Sequence, residues 1–245
     1  MDVDISVLPW ERALQIIESL LPNFNRPASI NTMCKDFEID KTKIYTDDFH
    51  DEVTKAVVNT YNKCLPMMNN YVVEYRREWN NIKDCVLAEF TKLFGKLNLE
   101  NLNIYLWPCN VAPYFKDGFC VSANSLDIPN FRKTVVHELT HLHWWQFWAE
   151  WGPVPRQPAP SMVWHLSEMV IQTIVDNSEL KNIVNKPVAL KEYYTMEIDG
   201  ENVLTHLDKL FKQSDSMQDF TKASYYYVSN NEEHILCQTS CDKTK

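Results

Sequence analysis

Residues 129–148 read PNFRKTVVHELTHLHWWQFW, and the shape this run takes constrains everything around it. Asp127 precedes it, and Pro129 stands where a first helical position belongs, because a proline there gives up an N–H that no helical carbonyl would have received. From Asn130 to Trp148 apolar residues occupy nearly every side of the predicted helix, so it must be buried. In its middle fall His137, Glu138 and His141. Residues i and i+4 project from one helix face about a turn apart, which lets two imidazoles reach one metal ion at about 2.0 to 2.1 Å. Left unbound, two imidazoles and a carboxylate among Val135, Val136, Leu139, Leu142, Trp144 and Trp145 are costly to desolvate. The H-E-x-x-H spacing therefore predicts a zinc site with His137 and His141 as ligands. Glu138 is the expected base, taking a proton from a water that the metal acidifies and passing it to a leaving amine. His143 lies off that stripe and is expected in the core or hydrogen-bonded to a ligand residue.

A catalytic zinc takes three protein ligands and leaves a fourth position for water. The extended metzincin motif, with glycine three and histidine six residues beyond the second histidine, is excluded, because those positions hold Trp144 and Phe147. Glu150 lies along the same helical run, about two and a half turns from His141, too far to close the site. The better candidate is Glu168, on a second apolar helix predicted from Ser161 to Asp176. There it shares a face with Trp164, Ile171 and Val175, where a bare carboxylate is costly. His165, one turn earlier, is the competing ligand or a group that supports one. Gln172, one turn later, is placed to orient a histidine through a hydrogen bond.

Upstream, Leu102, Ile104 and Leu106 alternate with Asn103, Tyr105 and Trp107, the period of a strand closed by Pro108. Asp117-Gly118 is a turn signal, and Phe119 to Ala123 reads as a second strand. Ahead of the sheet, helices are predicted from Trp10 to Leu21, stopped by Pro22, and from Phe49 to Leu65. After Pro66 a long one follows, ended by Gly95. Asn23 to Asp48 has weak periodicity and reads as a loop or extended connector. Downstream, Gly152 to Pro160 is a proline-rich rigid loop, and two or three more helices fit between Val188 and Val228. The expected fold class is α+β: mainly helical, with a small twisted sheet and a zincin-type active-site helix. It divides into a helical portion over 1–100, a metal-binding core over 101–180 and a helical portion over 181–245, or forms one compact domain.

The 245 residues carry a net charge of -9, which repels phosphate backbones, and Arg76-Arg77 is only a lone basic pair, so nucleic acid is an unexpected partner. No apolar stretch is long enough to span a bilayer, so no membrane partner is expected either. Asp2, Asp4 and Glu11 precede any long apolar run, the wrong order for a secretory signal. The seven cysteines lack framework spacing and read mostly as reduced core thiols of a cytoplasmic protein. Cys237 and Cys241 form the one close pair, but a lone C-x3-C lacks the second half of a zinc cluster.

A short sheet, an H-E-x-x-H helix and a glutamate on a following helix resemble the gluzincin clan of zinc metallopeptidases, with a compact size similar to the minigluzincins. The resemblance covers roughly Leu102 to Asp176. It implies His137, His141 and Glu168 as ligands of one Zn2+ per chain, Glu138 as general base and acid, and Phe119 to Ala123 as the edge strand that pairs with an extended peptide. Thermolysin-like members carry an aspartate four residues beyond the glutamate ligand, where this chain has Gln172. Tyr or His side chains stabilise the oxyanion in such sites, and Tyr193, Tyr194, His206, Tyr225 to Tyr227 and His234 are the available ones. The expected function is zinc-dependent hydrolysis of a peptide or protein substrate. The alternatives are a zinc hydrolase of a non-peptide amide or ester, and a metal-bound scaffold without turnover, for which Glu138 would have no use.

Overall fold

The computed structural model describes residues 2–23, 27–96, 101–115, 117–156 and 161–241. These form an α+β structure, mainly helical, with one four-stranded and one two-stranded sheet. The chain divides into two compact units, Met1–Asn81 with Leu99–Thr134, and Ile82–Asn98 with Val135–Lys245.

The first unit holds the larger sheet. Its strands are β1 (Asp2–Val7), β2 (Asn101–Trp107), β3 (Tyr114–Phe115) and β4 (Gly118–Ser122), in the order β1-β2-β4-β3. β2 is parallel to both β1 and β4, and β3 runs antiparallel to β4. Leu102, Ile104 and Leu106 are fully buried, as their alternation predicts. On the other face Tyr105 and Asp117 hold Arg12, whose guanidinium donates to both at 2.8 Å. β4 was expected as the edge strand over Phe119 to Ala123. Instead β3 is added on its outer side, and Cys120 N–H donates to the Pro113 carbonyl, so β4 lies inside the sheet.

Gly118 is required at the start of β4. A Cβ there would stand 1.8 Å from the Asn103 carbonyl oxygen of the neighbouring strand, against backbone that cannot swing away. Gly118→Ala is expected to destabilise the fold by about 3 kcal/mol or more, by prising β2 from β4. A denaturation midpoint equal to that of the unmodified protein, with an unchanged slope, would refute this strand spacing.

Four helical or strand expectations are corrected. β1 occupies a segment for which no strand was predicted, its Val3, Ile5 and Val7 alternating with polar residues. Helix α1 (Trp10–Asn23) carries Pro22 in its last turn rather than stopping before it. Helix α2 (Pro27–Asp36) replaces the expected connector; proline opens it, and only Met33 and Cys34 are buried, too few to make a periodic signal. Helix α3 (Phe49–Phe94) runs unbroken through Pro66. Pro66 and Asn62, whose carbonyl loses its helical donor, are both exposed, where water is able to take the place of the missing bond. Gly95, at φ +80, ends α3 as expected, its N–H bonded to Thr91 O at 2.9 Å.

Helix α4 (Ile128–Trp151) begins where Asp127 caps it, the carboxylate accepting from Asn130 N–H at 2.9 Å. Its later half lies in the second unit, and every residue from Glu138 to Trp145 is buried. Helix α5 (Met162–Asp176) is capped by Ser161, whose Oγ accepts from Trp164 N–H, and is buried on nearly all sides. It packs against α6 (Val203–Gln213), α7 (Met217–Asn230) and α8 (Glu232–Cys241). Between α5 and α6 lies an unpredicted hairpin, β5 (Glu197–Ile198) and β6 (Glu201–Asn202). No described helix is long and apolar enough to cross a membrane. Cys34, Cys109 and Cys120 are buried, whereas Cys85 and Cys237 are exposed. Residues 157–160 of the proline-rich loop, and the side chain of Cys241, lie outside the described residues.

Candidate metal centre

His137 and His141 project from one face of α4, and Glu168 approaches them from α5, all within the second unit. The three side chains offer ligand atoms that lie within 4.8 Å of one another, a group able to hold a metal ion. Neither His165 nor Glu150 belongs to it. Glu168 Oε1 is 3.3 Å from His141 Nε2, and its Oε2 is 3.5 Å from His137 Nε2. Donors about 2.0 to 2.1 Å from a tetrahedral ion are separated by about 3.4 Å, so both distances have the length of a coordination edge. The two imidazole rings are nearly perpendicular, at 82°, with centroids 4.8 Å apart.

The tautomer of His137 sharpens the fit. Its Nδ1 lies 3.0 Å from the Val188 carbonyl, and a carbonyl only accepts, so Nδ1 is the donor. A neutral ring then carries its lone pair on Nε2, the atom facing Glu168. Lone pair and carboxylate oxygen repel at that separation, and the arrangement calls for a positive charge between them, supplied by a ring proton or a metal ion. At His141 burial opposes the charged ring, but the carboxylates of Glu168 and Glu138 together outweigh it and hold the pKa above the usual histidine value. His141 Nδ1 is buried with no hydrogen-bond partner among the described residues, so the polar contact of this ring is the one that Nε2 makes with Glu168. His137 keeps 15% of its side-chain surface exposed against 7% for Glu168, which makes it the open side of the cluster.

Glu138, next to the first histidine, is only 7% exposed. Burial pushes its carboxyl up to about 8; His141 pulls the other way and Glu168 adds to the rise. A carboxyl raised towards neutrality is suited to taking up and releasing a proton.

The other residues picked out in the sequence stand outside this three-residue group. His143 turns away into the core, where it stacks on Phe90 at 4.5 Å and donates Nδ1–H to Leu139 O at 2.8 Å. Burial lowers its pKa to about 4, which keeps the ring neutral. His165 is buried with Nδ1 2.7 Å from the Tyr193 hydroxyl. Gln172 does not touch a histidine directly; it binds the backbone of Val188 and Ala189. Glu150 is exposed near the end of α4. Of the aromatic and histidine residues proposed for the oxyanion, Tyr193 and Tyr194 bond to α5 one turn before and one turn after Glu168, through His165 and Gln172. His206 instead stacks on Tyr227 and pairs with Glu201, Tyr225 packs on Trp148, Tyr226 is exposed, and His234 bonds to Glu197 O. The Val188 carbonyl escaped sequence reasoning altogether, since a backbone acceptor has no residue signature; the nearest hint is Pro187, which restricts the chain entering it. No family model matches this chain, nor does any curated protein or solved structure, so the chemistry of the centre rests on its own geometry.

Proposed function

We propose that this chain is a zinc metallopeptidase that holds one Zn2+ on His137, His141 and Glu168 and uses Glu138 to move the proton. The observation that carries the reading is the convergence of those three donors within 4.8 Å of one another, with Glu168 at a coordination-edge distance from each imidazole. Two imidazoles and a carboxylate form a donor set suited to zinc, and three ligands leave one position open. Bound there, zinc supplies Lewis acidity towards a water and the scissile carbonyl. Glu138 accepts the proton of the attacking water and delivers it to the leaving amine, and its burial keeps that proton from bulk solvent. Val188 O holds the His137 ring by its far nitrogen, so Nε2 stays turned towards Glu168. The buried carboxyl of Glu138 favours a hydrolase over a scaffold, which gains nothing from the cost of desolvating it. A peptide or protein is the proposed substrate. The net charge of -9 argues against nucleic acid, and the sequence pattern favours a cytoplasmic protein that binds no membrane.

Elemental analysis of protein expressed in zinc-supplemented medium is expected to return about one zinc per chain. Failure to find or take up any transition metal would sink the proposal, and stoichiometric iron in its place would move the site to a different chemistry. Zinc-loaded protein incubated with an unbiased peptide library is then expected to cleave it. A zinc-bound protein that leaves every peptide intact would return the choice to a non-peptide substrate or a scaffold.

A further inference from the structure

Gln172 follows Glu168 by one turn on α5. Its Oε1 accepts from the N–H groups of Val188 at 2.9 Å and Ala189 at 3.4 Å, and from the Tyr194 hydroxyl. Its Nε2 donates to Asp176 Oδ1 at 2.8 Å, and because a carboxylate only accepts, this bond fixes which end of the amide is oxygen. Val188 is therefore gripped from both sides: its N–H by Gln172, its carbonyl by His137 Nδ1 at 3.0 Å. Val188 and Ala189 are both buried, so these polar backbone groups have no water to turn to. The turn Lys191–Tyr194 completes the brace, with Tyr193 bonded to His165 and Tyr194 to Gln172 on either side of Glu168.

We propose that Gln172 is a positioning residue of the metal centre, which anchors the Val188–Ala189 backbone so that the Val188 carbonyl sets the orientation of His137. The inference rests on reading His137, His141 and Glu168 as metal ligands. An imidazole swings freely about its Cβ–Cγ bond, and a hydrogen bond at Nδ1 both stops that rotation and makes Nε2 the basic atom. A loop carbonyl serves as such an acceptor only if the loop is held. Here the holding atom comes from the helix that carries the third ligand, so one helix face sets the carboxylate directly and the first histidine through a peptide unit. Binding is reciprocal: what orders Val188 for the metal is ordered in turn by the metal.

Two variants separate this role from general stability. Gln172→Met keeps length and volume but removes the acceptor. The double variant Gln172→Glu with Asp176→Asn restores it, since a carboxylate oxygen takes the three donors and the amide introduced at position 176 supplies the missing donor, so the pairing is kept with its polarity reversed. Zinc affinity, measured by competition with a chromophoric chelator, is expected to fall about 10- to 100-fold in Gln172→Met and to return towards the unmodified value in the double variant. Hydrogen exchange at the Val188 and Ala189 amides is expected to slow when zinc is added to the unmodified protein, and not in Gln172→Met. Should Gln172→Met fail to fold, Tyr194→Phe at a residue 37% exposed removes one of the bonds to Oε1 together with the hydroxyl that accepts from Ala189 N–H at 3.2 Å, and is expected to weaken zinc binding about 3- to 10-fold. Unchanged zinc affinity in a folded Gln172→Met overturns the proposal. So does a loss of affinity that the double variant fails to restore, or that comes without any change in exchange at Val188 and Ala189. Failure of the unmodified protein to bind zinc at all is a different result, and overturns the metal centre itself.

Discussion

Glu138→Gln is expected to lower peptide hydrolysis by about 10²- to 10⁴-fold, the range that a positioned acid–base group contributes, while zinc content stays at one per chain. The amide has the shape of the carboxyl and fits the same buried space, but it cannot take up the proton of the attacking water. Stability is not expected to fall, because burial already pushes the Glu138 carboxyl up to about 8, so a neutral amide replaces a largely neutral carboxyl of the same shape. Steady-state rates on a cleaved library peptide, with metal analysis and a thermal melt on the same sample, give the three readings needed. Retained activity would move the chemistry to another residue. Zinc lost along with activity would make Glu138 a ligand or a structural group.

The second large effect concerns the third ligand. Glu168→Ala is expected to weaken zinc binding at least as much as replacing His137 or His141, whereas His165→Ala and Glu150→Ala should each cost about 10- to 100-fold at most. The three positions differ in what their side chains already do. Glu168 spans the two histidines, 3.3 Å from one and 3.5 Å from the other. His165 has committed Nδ1 to the Tyr193 hydroxyl and stands outside the cluster. Glu150 is exposed further along the helix that carries both histidines, which cannot fold back on itself. Removing Glu168 leaves two imidazoles to hold the ion alone, below the three protein ligands that a catalytic zinc takes. If His165→Ala strips the metal and Glu168→Ala does not, the ligand assignment is wrong, and the likeness to gluzincins goes with it.

How much of this is legible in the sequence depends on the range of the interaction. His137 and His141 are four residues apart on one helix, so helical periodicity alone places them on one face. Glu168 is reachable by the same logic, because a carboxylate on the apolar stripe of Trp164, Ile171 and Val175 needs a reason to be there. Strand β2 declares itself through strict alternation, α4 through Asp127 and Pro129, and α5 through Ser161; these are local signals, each carried within a few residues.

Long-range partners decided the rest. β1 is a six-residue strand with three polar positions, and it becomes part of a sheet only because β2 lies alongside it over its whole length. β4 is an interior strand because the segment just before it turns back as β3 on its outer side, a pairing that no periodicity encodes. Pro66 reads as a helix stop in isolation, yet α3 continues through it at an exposed position, where solvent is able to satisfy the carbonyl it frees. At the metal centre the same division holds. The candidate ligands are side chains with a chemical identity visible in the sequence. The Val188 carbonyl that orients His137 is backbone, the same at every residue, and Gln172 reaches that residue from sixteen positions away. Residue type and spacing thus settle which groups are able to bind a metal, while the packing of α5 against the segment that follows it settles how those groups are held.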